Sequence, residues 1–300
     1  MIKDIGLVSV TYNSAHLAKW FSHTAKNFNN IIIVDNSSDK ATSIEFKNEL
    51  PHATIISEQK NLGFGVANNR GFQHALESGS KYVLFINPDC RIEEIDVLKL
   101  QDALLNDEQL GIVFPLVHDS EGRKSDILLC DFSKPYSEKS TTQLGDDFIT
   151  TGIIKSACLD GSCFMVRSKD FQAINGFNND LFMYCEEDDL ALRLRKTNKF
   201  IGINLGSTAI HLGGASTRPS WSLSIRKAYH VRWSRFYMTD RYISKSKRRL
   251  EVAKVLVISP VALIIYSLIL RGNILLKWVG WWFAAIDAIF MSRFFRRFMS

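Results

Sequence analysis

The sequence predicts an α/β fold built on a mainly parallel sheet, followed by a helical tail of different character. Three observations carry this expectation. First, short apolar, β-branched runs alternate with stretches of amphipathic helical spacing through the first half of the chain. Second, each apolar run ends in polar residues: Thr11-Tyr12-Asn13, Asp35-Asn36-Ser37, Asn61 and Asn87-Pro88-Asp89. In an open parallel sheet such ends gather on one rim, where ligands bind. Third, the chain beyond about residue 217 is basic, aromatic and apolar. Residues 216–300 hold 16 of the 37 Lys and Arg but only 3 of the 31 Asp and Glu.

In chain order, "IGLVSVTY" reads as a strand, and "SAHLAKWFSHTAKNF" as an amphipathic helix with Leu17, Trp20, Phe21 and Ala25 in phase. "NIIIVDNSSD" is a second strand, its continuous β-branched run suited to burial on both faces. A short helix over "ATSIEFKNEL" and a strand over "ATIISEQ" follow. "FGVANNRGFQHALESG" is a helix stopped near Gly79, and "KYVLFINPD" is the fourth strand, ended by Asn-Pro. Residues 118–155 read as a polar, loop-rich insertion. Strand character returns in "KSACLDGSCFMVRS", a helix starts at "CEEDDLALRLRKTN", and "FIGINLGSTAIHLGGAS" gives a strand and a Gly-rich turn.

Composition narrows the function classes. With 46% hydrophobic and 23% charged residues, the chain buries a sizeable core. Five cysteines with no CxxC pair argue against a disulfide framework or zinc site and for a reducing compartment. The opening residues enter a strand pattern without the layout of a signal peptide. The basic tail suits an anionic surface, nucleic acid or lipid. Val255–Leu270, 16 residues without a charge, has no use in a nucleic-acid binder. It is short for a membrane span and contains Pro260, and the next apolar run is interrupted by Lys277 and Asp287. Interfacial or re-entrant helices fit better than two spans, with Trp278, Trp281, Trp282, Arg293, Arg296 and Arg297 suited to headgroup level. A helical pair completing a soluble core is the alternative.

Five segments are candidates for chemistry. Asp35 at a strand end suits hydrogen bonding to a base or ribose, or a helix cap. Gly63 and Gly65 in "NLGFGVANNRG" make a GxG before a helix, a weak fingerprint because Asn68 stands at the third glycine position. It still marks a helix N-terminus that a phosphate can approach. Asp89 after Asn-Pro is either a turn residue or a ligand for a hard divalent cation. Glu186, Glu187, Asp188 and Asp189 open a helix. The bland reading is dipole complementarity. Partial burial would instead raise at least one pKa, as a general base needs. Glu186 and Asp189, three apart, share a face, which leaves Glu187 pointing elsewhere. His211, before a Gly-Gly turn, is structural or an approachable ligand.

In this order, "VSVTYNS", "IIIVDNSS", "NLGFGVANNRGF", "LFINPDC", "LDGSCFMVRS", "GFNNDLFMYCEEDDLALRL" and "IHLGGAS" resemble the inverting glycosyltransferases of family 2, most closely bacterial rhamnosyltransferases of O-antigen and cell-wall assembly. The resemblance spans about residues 5–216. It implies a GT-A (Rossmann-like nucleotide-diphospho-sugar transferase) domain over 1–217, with residues 218–300 a C-terminal membrane-association region of amphipathic and apolar helices. It implies donor contacts from Thr11, Tyr12, Asn13, Asp35, Asn61, Gly63, Asn68, Asn69 and Asn87. Asp89 and His211 would hold Mg²⁺ or Mn²⁺ on the donor diphosphate, Asn87 standing where the family's DxD has its first Asp. Asp160, Gly161 and Asp189 would face the acceptor. The family's base is the Asp of an E-D pair; Glu187 stands there, so the base is Glu187 or Glu186. The implied reaction moves rhamnose from dTDP-rhamnose to a polyprenyl-diphosphate-linked saccharide, at the cytoplasmic face of a bacterial inner membrane and without nucleic acid. The alternatives are galactofuranose or N-acetylhexosamine from a UDP-sugar, or a nucleotidyltransferase or nucleotide-sugar-binding protein on a related sheet.

Overall fold

Among the described residues nine strands form one sheet: β1 (Ile2–Thr11), β2 (Phe28–Asp35), β3 (Thr54–Ser57), β4 (Tyr82–Ile86), β5 (Cys90–Ile92), β6 (Leu110–His118), β7 (Ile153–Ser156), β8 (Cys163–Arg167) and β9 (Phe200–His211). The computed structural model describes residues 2–58, 60–123, 152–156, 158–213, 220–268 and 272–291. The strand order is β3-β2-β1-β4-β8-β6-β9-β5, with β7 also paired to β9. The pairs among β1 to β4 are parallel, as the strand–helix alternation predicts. β8 runs antiparallel to both β4 and β6, so the sheet is mixed.

The continuous apolar runs follow from burial on both faces. Ile31 and Ile33 enter one apolar cluster, with Phe21, Phe46 and Leu100; Ile32 and Val34 enter the other, with Phe72, Phe85, Phe164 and Phe177. Helices α1 (Ala18–Ala25), α2 (Ala41–Glu49), α3 (Phe64–Glu77), α4 (Glu94–Asn106), α5 (Ser168–Ala173) and α6 (Glu186–Arg195) supply the cover. The sequence reading had no element at α4, β5 or β6. The greater part of the predicted insertion, 124–151, lies outside the described residues. Cys90, Cys163 and Cys185 form no disulfide, whereas Cys158 is disulfide-bonded, so one cysteine departs from the reducing-compartment expectation.

The glycines of the GxG segment have separate local reasons. Gly63 caps α3 at φ +85°, a left-handed conformation that side chains disfavour. Gly65 packs on Phe177, where a Cβ would sit 3.0 Å from that residue's own. Gly71 lets α3 approach Val8 of β1 more closely than any side chain would allow.

The chain divides into two compact units. The sheet and its helices make the first, within residues 1–133, 138–179 and 187–217. The described part of the second comprises residues 180–186 and the helices α7 (Trp221–Tyr242), α8 (Lys245–Leu268) and α9 (Gly272–Ile289). Ser220 caps α7 by accepting the Leu223 N–H at 3.1 Å. Within this unit Tyr237 donates to Asp180 at 3.0 Å, Ser234 donates to the Met183 carbonyl at 2.9 Å, and Phe182 stacks on His230. Asp287, the charge that breaks the last apolar run, is buried and accepts the Tyr229 hydroxyl at 2.6 Å. α8 continues through Pro260 and is long and apolar enough to cross a membrane.

In α6 the face argument holds: Glu186 and Asp189 are buried while Glu187 is partly exposed. Asp189 is 0% exposed, pairs with Arg193 at 2.6 Å and accepts from Asn178 at 3.2 Å. That burial and pairing give Asp189 a structural place. Removing one member of such a pair strands a buried charge. Asp189→Ala is therefore expected to lower unfolding free energy by about 3–5 kcal/mol, measured by urea denaturation; an unchanged midpoint would contradict the assignment.

Candidate active site

The sheet brings strand ends together on one rim, and a polar network ties them. Thr11 and Asp35 are in register on β1 and β2. The Asp35 carboxylate is buried and held by hydroxyls: Oδ1 accepts from Thr11 at 3.2 Å, from the Ser37 hydroxyl at 2.6 Å and from the Ser37 N–H at 3.0 Å. Oδ2 accepts from Ser43 at 2.6 Å, and Ser43 in turn meets Ser57 of β3. Asn13, at φ +53°, donates its N–H to Ser37 at 2.7 Å. Tyr12 is partly exposed beside it. Asn36, one of the polar residues at the end of the second strand, bridges to the next strand end. Its Nδ2 donates to the Gly63 carbonyl at 3.2 Å, and its Oδ1 accepts the Leu62 N–H at 3.4 Å. Asn61 closes the same loop by accepting the Gly63 N–H at 2.9 Å.

The two asparagines of α3 are both held by hydrogen bonds within the protein. Asn68 is buried and donates to the Phe64 carbonyl one turn back. Asn69 exchanges both hydrogen bonds with the backbone of Phe177, each at 2.8 Å, and donates to Asn179 at 3.0 Å. Its amide fixes a loop. A partner 108 residues away leaves no local sequence signal.

The second half of the rim is built by β5 and β9. Their antiparallel register sets Cys90 opposite His211. Asp89, immediately before β5, is buried, and its Oδ1 lies 3.2 Å from His211 Nε2. The Asp89 carbonyl accepts the Leu212 N–H at 3.0 Å, and the Asn87 N–H donates to the Ser162 carbonyl at 2.8 Å. Asp160 caps that loop, accepting the Ser162 N–H at 2.9 Å and hydroxyl at 2.6 Å. The hydrogen bond to Asp89 raises the His211 pKa against the opposing effect of burial, with help from the fields of Asp89 and Asp160. Cys90 is no nucleophile: its contact with Cys163 and its burial push the thiol well up.

Glu187 joins this rim through Gly161. A Cβ at Gly161 would collide with the Glu187 carboxylate, so only glycine leaves that carboxylate its place beside the Asp160 loop. Tyr184 and Cys185, just before α6, both hold positive φ, at +68° and +65°. Two adjacent non-glycine residues in that region store strain, a pattern that gathers at functional sites.

Asp89 and His211 suit a divalent cation already carried by a diphosphate. The cation needs few protein ligands, because phosphate oxygens and water complete its shell. Among the described residues no group of three His, Cys, Asp or Glu is arranged to hold a metal by itself.

Comparison with known proteins places the fold and the family. The chain is 26% identical over 268 residues to the low-salt glycan biosynthesis hexosyltransferase Agl10 of Haloferax volcanii, covering 84% of this chain and 80% of the relative. It is 26% identical over 220 residues to the N-acetylglucosaminyl-diphospho-decaprenol L-rhamnosyltransferase of Mycobacterium tuberculosis, covering 65% and 72%. Among solved structures, the mannosyltransferase PcManGT from Pyrobaculum calidifontis, in complex with GDP-Man and Mn²⁺, superposes with a TM-score of 0.55 at 15% identity, over 96% of this chain and 86% of that one. The fold is thus GT-A-like. The glycosyl transferase family 2 model matches residues 7–174, and the chain belongs to that family.

Proposed function

We propose that this glycosyltransferase moves rhamnose, with inversion, from dTDP-rhamnose to a polyprenyl-diphosphate-linked saccharide. The observation that carries the mechanism is the placement of Glu187 against Gly161, on the rim that Asp89 and His211 complete. The rhamnosyl donor and lipid-linked acceptor are supported by the mycobacterial relative's name. The archaeal hexosyltransferase, matched over more of the chain, supports a second reading in which another hexose is moved.

In this reading residues 1–217 are catalytic. Thr11, Tyr12, Asn13 and Asp35 receive the nucleoside, the remaining acceptor capacity of Asp35 Oδ2 facing the base. Asn61 and Gly63 shape the neighbouring loop, and Asn68 and Asn69 hold the helix and loop behind it. Asn87, Asp89 and His211 address the diphosphate. Mg²⁺ or Mn²⁺ bound there would neutralise charge that develops on the leaving diphosphate. Glu187 takes the proton from the acceptor hydroxyl. That oxygen forms a bond to the anomeric carbon as the bond to the diphosphate oxygen breaks on the opposite face, which inverts the centre. Asp160 and Gly161 position the acceptor side. Between the two candidate bases, burial of Glu186 favours Glu187. Most of the rate comes from positioning and fixed charge, since the nucleoside diphosphate already leaves well.

Residues 218–300 serve membrane association in this reading, at the cytoplasmic face of a bacterial inner membrane. α8 supports it: Val257, Ile258, Val261, Ile264, Ile265 and Leu268 are exposed at helical spacing. Lys245, Lys247 and Arg249 stand on its first turns, a charge pattern complementary to anionic headgroups.

Two measurements test these assignments. Glu187→Gln is expected to lower kcat by about 10²–10⁴-fold with donor binding retained; full turnover would remove Glu187 from the mechanism. Val261→Asp with Ile264→Asp is expected to release the protein from phosphatidylglycerol-containing vesicles in co-sedimentation while its thermal midpoint holds. Undiminished sedimentation would contradict the membrane role of α8.

A further inference from the structure

Within the second unit α9 crosses α7 closely at Gly280, where a Cβ would lie 2.8 Å from both the Ala228 Cβ and the Tyr229 nitrogen. The crossing sets Trp281 beside Arg232. The Arg232 guanidinium lies 4.4 Å from the Trp281 ring centroid and 5.2 Å from that of Phe236. Lys277, exposed and one helical turn before Trp281, places its ammonium 4.7 Å from the same indole. Two cations thus share one aromatic ring.

Among the described residues Arg232 and Lys277 form no ion pair, and the buried Arg232 Nε has no hydrogen-bond partner. Burial is the main cause that lowers the Arg232 pKa; the field of Glu251 opposes it and that of Arg235 adds to it. A half-buried guanidinium with an unpaired Nε and no ion pair is a group that an anion can relieve. Contact with the indole restrains the Arg232 guanidinium, whose several N–H donors suit phosphate oxygens, and Lys277 adds a point charge. The same unit carries the exposed apolar stripe of α8.

We propose that Arg232, Lys277 and Trp281 form a binding site for a prenyl-linked diphosphate, the carrier end of the acceptor. This rests on the reading that the acceptor is lipid-linked through diphosphate. The lysine and arginine meet the diphosphate oxygens, and the ligand's hydrocarbon supplies apolar area to the helical unit.

The test titrates the full-length protein with farnesyl diphosphate, farnesol and inorganic diphosphate by calorimetry, with no donor nucleotide and no divalent cation. Farnesyl diphosphate is expected to bind more tightly than either fragment. Arg232→Gln with Lys277→Gln is expected to weaken it about tenfold or more, without changing the response to farnesol. Lys277→Gln alone, at an exposed position, is expected to weaken binding in the same direction. Unchanged affinity for farnesyl diphosphate in either variant overturns the proposal. Inorganic diphosphate binding as tightly as farnesyl diphosphate would make this a free-anion site, and farnesol binding as tightly would make it an apolar surface; both outcomes overturn it. Because no sugar is transferred in this experiment, its failure leaves the transfer reading standing. A protein that binds the diphosphate but transfers no sugar would sink the transfer reading alone.

Discussion

The antiparallel pairing of β5 with the end of β9 is the constraint on which the catalytic rim depends. β5 has three residues and is held by backbone hydrogen bonds to Ala209–His211. That register puts Asp89 and His211 side by side at the mouth of a sheet whose other strands end in Thr11 and Asp35. Asn-Pro terminates β4 one step earlier, so the chain can cross from one strand neighbour to another without extending β4. If β5 slipped by one residue, Cys90 would take the place of Asp89, and a buried high-pKa thiol would stand where a carboxylate is needed.

Around that pairing the two halves of the rim are built by different means. The Asp35 half is a network of small hydroxyls, in which Thr11, Ser37 and Ser43 fix one carboxylate. Such a group is well satisfied and rigid, suited to presenting a fixed acceptor pattern. The Asp89 half keeps fewer contacts, with His211 as the side-chain neighbour of the carboxylate. In the proposed reading the Asp89 half receives the donor's diphosphate with its cation. Glu187 stands third, its place secured by the absence of a side chain at Gly161.

Much of this was legible before the fold was known. Continuous apolar runs with polar ends gave the parallel strands and their rim, and i, i+3 spacing gave the buried Glu186–Asp189 face against Glu187. What was not legible has common physical reasons. β5 is too short to show a period. Asn69 reads as a helix-start residue because its partner, Phe177, is remote in sequence. Gly65 resembles a phosphate-loop glycine, yet its reason is contact with an aromatic ring. Asp287 reads as an interruption of an apolar helix because Tyr229, which buries with it, lies on another helix.

The central claim is that Asp89, backed by His211, receives the donor's diphosphate with its cation. Thermal stabilisation of the purified protein by dTDP-rhamnose, with and without Mn²⁺, tests it most directly when wild type and Asp89→Ala are compared. The account predicts a cation-dependent rise in midpoint for wild type that is absent in Asp89→Ala, while both proteins unfold at similar temperatures without ligand. An equal cation-dependent rise in Asp89→Ala would contradict it.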